Sequence, residues 1–262
     1  MDGFKESDVS RAILDAYGAK FAQGLRGDVV IVGAGPSGLV AAWRLAQAAR
    51  RVVVLEKRLS PGGGIWGGSI GMNEVVVQKE ALSILEEAGV QHRPSGRLFT
   101  ADAMELASAL CLKALHTGAI LLNLMTADDI CVRSGRVIGV VANRSMLNHS
   151  LPIDPIVFSA RATIDATGHE AVLANCLQHR GLLKDSRSRL PGEGPMDAPA
   201  GERFVVDHVS ELYPGLWTTG MSVCASQGGP RMGPIFGGML LSGAKVADRL
   251  AGPLSQMDDA GD

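Results

Sequence analysis

The residues best placed to do chemistry in this chain are a glycine-rich turn and an acid that follows it. Residues 29–32 form a β-rich apolar run that turns through Gly33, Ala34, Gly35, Pro36, Ser37 and Gly38 into a helical pattern, and a second run, 52–55, ends on Glu56. Gly33 permits the tight turn, Gly35 lets a pyrophosphate approach the backbone, and Gly38 lets the helix lie close on the strand. The helix start offers free N–H groups and the positive end of its dipole to phosphate. Glu56 follows at about the 20-residue distance expected of an acid that binds ribose hydroxyls. An acid there disfavours a 2′-phosphate, so the pattern points to NAD or FAD ahead of NADP and does not choose between them.

Other reactive side chains carry weaker local signals. Arg231 lies between Gly-Gly-Pro and Met-Gly-Pro, where backbone can approach a ligand, although a solvated surface arginine reads the same way. Asp154 and His169 flank one β-rich run, 156–165, and sequence separation alone does not make them partners. A straight ten-residue strand spans about 33 Å, so these two meet only if a loop folds back or a second copy supplies one of them. Cys111, Cys131, Cys176 and Cys224 lie far apart without CxxC spacing, which argues against a disulfide framework or a zinc site. His92 and His116 have no partner pattern and read as surface or packing residues.

Composition narrows the class of protein. A 262-residue chain that is 46% hydrophobic buries an ample core, and its net charge of −2 gives no electrostatic case for nucleic acid or an acidic membrane. Aromatic residues are 4% of the chain, too few for extended base stacking. Apolar runs fall far short of a membrane span, and the charged, amphipathic first residues are unlike a signal peptide, so a cytoplasmic protein is expected.

The elements that position these residues follow from periodicity. Ser7 and the apolar spacing after it predict a helix over 7–25. The glycine-rich segment 58–72 is either a mobile loop or a wall against a ligand, and its place after Glu56 favours the wall. A helix is expected over 74–89, then a short strand and a helix near 101–117. Strands are expected at 119–124, 128–133, 136–142 and 156–165. Residues 181–203 read as a surface loop or lid, 216–222 as a strand, and a last helix begins near 234. The fold class is α/β, with a central parallel sheet and a small antiparallel β layer.

These segments together resemble the Thi4 family, the ADP-thiazole synthases of thiamine biosynthesis. The resemblance runs nearly end to end, through SRAIL with a following Tyr17, DVVIVGAGPSGL, LEK, PGGGIWGG, VVVQKEA, GRVIGVV, IDP, DATGHE, TTGM and PRMGPIFGGMLLSG. It implies one Rossmann-like domain of the FAD/NAD-linked reductase type over 1–262, assembled as a homo-octamer. It implies NAD consumed as a substrate with glycine: nicotinamide leaves, the ADP-ribose condenses with glycine, and sulfur closes an ADP-linked thiazole carboxylate. Sulfur comes from a protein cysteine in suicide members, and from sulfide with Fe(II) in the others.

Carried over by position, Ser37, Glu56, Lys57, Gly64 and Ala127 fall where the family contacts the nucleotide. Asp154 and His169 match its iron ligands. Met221 and Arg231 match the glycine and intermediate pocket, Arg231 pairing a carboxylate. The chain departs from the family at Pro152, where a Cys or His stands in other members, so sulfide is the expected sulfur source. His149 is three residues away, and Cys224 reads as a core thiol. The expected activity is thiazole formation. The alternatives are a paralogue with diverged NAD and glycine chemistry, a conventional flavin or nicotinamide oxidoreductase, and a non-catalytic nucleotide-binding protein.

Overall fold

A computed structural model describes residues 3–146, 154–183, 189–252 and 254. His149 and Pro152 lie outside the described residues. The chain runs α1 (Glu6–Gly24), β1 (Arg26–Val32), α2 (Pro36–Gln47), β2 (Val52–Glu56), β3 (Glu74–Val77), α3 (Leu82–Ala88), β4 (Arg93–Ser95) and β5 (Leu98–Asp102). It continues through α4 (Ala103–His116), β6 (Ile120–Asn123), β7 (Met125–Arg133), β8 (Arg136–Arg144), β9 (Ile156–Asp165) and α5 (Val172–His179). The last elements are β10 (Gly194–Met196), α6 (Ala198–Asp207), β11 (Glu211–Tyr213), β12 (Leu216–Thr218), α7 (Met221–Gln227), β13 (Pro230–Arg231) and α8 (Gly237–Ala251).

The central sheet is parallel through β12, β9, β1, β2 and β6, and β11 closes one end antiparallel to β12. The antiparallel pair β7–β8 attaches to the first half of β9, and β3–β5–β4 form a separate small antiparallel sheet. Both faces of the parallel core are buried, which explains its near-continuous apolar runs. Val29 and Ile31 pack with Val52 and Val54 under α2, α4 and α8, while Val30 and Val32 face the other way with Val53 and Leu55, against β7, β8 and β9. Tyr17, Phe21 and Leu25 fasten the end of α1 to this second face, and Ile13 and Leu14 point outward. Among the described residues, no helix is long and apolar enough to cross a membrane.

Three expected elements differ from the observed ones. The helix expected over 74–89 begins as β3, because Val75 and Val77 alternate inward and the segment pairs with β5; helix starts only at Leu82. The strand expected over 216–222 stops at Thr218. Gly220, at φ 62°, turns the chain into α7. The loop expected over 181–203 contains β10, which pairs with β13, and then the start of α6, whose first turn Asp197 caps by accepting from Ala200 N at 3.0 Å. The last helix starts at Gly237.

Candidate functional site

The parallel strands end at one cleft of about 350 Å³, lined by the first glycine turn, the β2 acid, the 58–72 loop and the chain that leaves β9. Gly33, at φ 100°, is fixed by crowding: a Cβ there would lie 2.4 Å from Ala166 O, and one on Gly38 would lie 2.0 Å from Gly33 O. A Cβ on Gly35 would meet nothing within 4 Å, so that backbone is open on the side the cleft occupies. The 58–72 loop is a wall of the cleft: Gly62 N donates to Ala34 O at 2.7 Å, and Gly63 lies directly against Gly35.

Glu56 is buried and each of its carboxylate oxygens accepts a main-chain N–H, from Ala34 and from Arg58, both at 2.8 Å. The acid therefore braces the turn, and each oxygen keeps a second lone pair for a hydroxyl. Ser37, Lys57, Gly64, Ala127 and Met221 all line the same cleft. Lys57 Nζ also donates to both carboxylate oxygens of Glu170 at 2.7 Å.

His169 reaches the cleft from a 3-10 turn, Gly168–Glu170, that a buried carboxylate holds in place. Asp165 at the end of β9 accepts from Thr167 N, Thr167 Oγ1, Leu173 N, Ala174 N and Ser222 Oγ, all within 3.0 Å. One side chain thus caps α5, closes the turn and ties both to α7. Sequence reading missed it, although an acid ending an apolar strand two residues before a threonine is a turn signal.

His169 Nδ1 lies 2.5 Å from Glu193 Oε1, and Arg231 Nε lies 3.4 Å from Glu193 Oε2. Glu193 is 12% exposed, while His169 and Arg231 are 59% and 54% exposed. Arg231 is thus joined to the site through Glu193. Nothing local in the polar stretch around Glu193 marks it, because its position is set by the pairing of β10 with β13.

Asp154 is exposed just before β9, at the opposite end of that strand from His169, and it does not line the cleft. Among the described residues, no group of three or more His, Cys, Asp or Glu side chains is gathered as a metal cage. What one chain offers a metal is an imidazole whose Nδ1 is taken by a carboxylate, leaving Nε2 as the ligating atom. That fits a site completed from a second copy. Cys224 is fully buried on α7; burial, and then the Glu193 carboxylate, push its thiol up to about 12. It is poorly suited to act as a thiolate.

The sequence profile of the Thi4 family matches residues 10–236. The thiamine thiazole synthase of Thermococcus kodakarensis is 48% identical over 245 residues, 93% of this chain and 96% of that protein. The thiamine thiazole synthase of Thermotoga maritima is 46% identical over 240 residues, 91% of this chain and 94% of that protein. The crystal structure of Thermovibrio ammonificans THI4 superposes with a TM-score of 0.91 at 41% identity, covering 95% of this chain and 98% of that one.

Proposed function

Since the chain belongs to the Thi4 family, we propose that it is a thiamine thiazole synthase that consumes NAD and glycine and takes its sulfur from sulfide. The observation that carries this reading is one cleft in which the open glycine turn, Glu56 and His169 all meet. The α2 N-terminus and the Gly35 backbone take the pyrophosphate, and Glu56 takes the ribose hydroxyls. Water displaces nicotinamide to give ADP-ribose, and the amine of glycine condenses with the carbonyl of its open-chain form, releasing water. Arg231 holds the carboxylate of glycine, a task suited to a planar, permanently charged guanidinium.

His169 and the Asp154 of a neighbouring copy are the residues that would hold Fe(II). A ferrous ion with open positions supplies a Lewis acid and a binding place for sulfide. The sulfide source rests on Pro152, which has no side chain able to donate sulfur, and on the burial of Cys224.

Purified protein given NAD, glycine, sulfide and Fe(II) should form an ADP-linked thiazole carboxylate, read by mass spectrometry. Omitting sulfide should abolish it. Release of nicotinamide without thiazole would replace this reading with the diverged paralogue that Pro152 also suggests. A bound flavin absorbing near about 450 nm would replace it with an oxidoreductase.

A further inference from the structure

We propose that Glu193 is the positioning residue of the site, one carboxylate that sets both the tautomer of His169 and the orientation of Arg231. A carboxylate only accepts, so in the neutral ring the nitrogen of His169 facing it, Nδ1, carries the proton and Nε2 is left bare. Oε2 of the same carboxylate forms an ion pair with Arg231 at 3.4 Å from its Nε, on the side away from the terminal guanidinium nitrogens, which stay available to a ligand carboxylate. Only an acid has two equivalent acceptor oxygens with which to do both.

The backbone is built to deliver this group. Gly192, at φ 73°, turns the chain into β10. Gly194 N then donates to Gly229 O at 2.9 Å and Asp197 N to Arg231 O at 3.0 Å, so Glu193 and Arg231 are carried on paired main chains. The carboxylate is largely shielded from water by this docking, whereas both of its partners are half exposed. A largely shielded acid between two half-exposed bases orients them without closing their outer faces.

This inference rests on the proposed roles of His169 and Arg231, and the test separates the two. Full-length wild-type protein, Glu193→Ala, Glu193→Gln and His169→Ala are labelled with nitrogen-15 histidine and compared by NMR under alkaline conditions, where imidazole is neutral. His169→Ala assigns the ring. Wild type should show the proton on Nδ1 alone, and Glu193→Ala should show a mixture of tautomers.

Affinity for Co(II), a redox-stable stand-in for Fe(II), should fall about 10- to 100-fold in Glu193→Ala, the scale for losing a carboxylate behind a ligating histidine. The KM for glycine should rise, ADP-ribose affinity should hold, and Glu193→Gln, which keeps one acceptor, should fall between. An unchanged tautomer in Glu193→Ala overturns the proposal. So does a parallel fall in ADP-ribose affinity, which would mean a general structural role. If wild type and His169→Ala bind Co(II) alike, the metal reading fails, and the tautomer and the glycine KM still decide the role of Glu193.

Discussion

Glu56 has a structural duty that its place at the end of β2 does not announce. As a side chain that closes the glycine turn through Ala34 N and Arg58 N, it shapes the pocket whether or not a nucleotide is present. Truncation to alanine would leave two main-chain donors without their acceptor and confound binding with folding. Glu56→Gln keeps the shape but sets an amide N–H₂ against one of those donors. It should weaken ADP-ribose binding by about 1–3 kcal/mol and lower Tm slightly. Calorimetric titration that finds the affinity unchanged removes the ribose assignment.

Cys224 carries the complementary prediction. With its thiol raised to about 12 by burial and by Glu193, it should keep its sulfur through many turnovers. Intact mass after reaction should show no loss of H₂S; a dehydroalanine at position 224 would make this a suicide enzyme.

At the scale of elements, the parts that could be read in the sequence were those whose residues are consecutive and whose signal is local. The β1 turn, α2, β2 and Glu56 follow from glycine placement and unbroken apolar runs, and β9 matches its expected bounds of 156–165 because its residues alternate into the core at first and are buried on both faces from Ala162 on. Elements defined by distant pairing were missed. Residues 74–77 are strand because β5 lies beside them, and Glu193 enters the site because β10 finds β13. Neither partner is visible in a local window.

The same holds for Glu202 on α6, a buried acid set at the start of α8. Its Oε2 accepts from Gly238 N at 2.7 Å, and among the described residues Oε1 and the nearby Gln78 Oε1 have no hydrogen-bond partner. Burial pushes this carboxyl up from 4.5 to about 7, against the opposing pull of the Gly238 N–H. A proton on Glu202 offers one of these oxygens a donor. The folded chain therefore holds this proton more tightly than the unfolded chain does. The resulting stability is fully present below about pH 4.5 and is lost as pH rises through about 7. Glu202→Gln removes the titration. Relative to that variant, wild type should lose on the order of 2–3 kcal/mol between pH 5 and 8, read from paired melting curves. A difference that stays flat across that range would mean the carboxyl is ionised throughout.

At the scale of the whole molecule, the question is whether one chain holds a complete site. His169 is on the cleft and Asp154 is at the far end of a regular ten-residue strand, a separation of about 30 Å along β9. Outward-facing Phe4, Ile13 and Leu14 on and beside α1 are the kind of apolar surface that a copy-to-copy contact covers. Both features support a site shared between copies, and sharing has a quantitative signature. Neither Asp154→Ala nor His169→Ala alone should make thiazole. After the two are mixed in equal amounts and subunits exchange, about one quarter of shared sites draw the intact aspartate from one copy and the intact histidine from another. Activity should therefore return to roughly a quarter of wild type, with bound Fe(II) rising in step. A site contained within one chain predicts no recovery at any mixing ratio, because every chain then lacks one ligand. Mass spectrometry of the intact assemblies verifies the exchange, so a failure to recover activity would count against the shared site and not against the mixing.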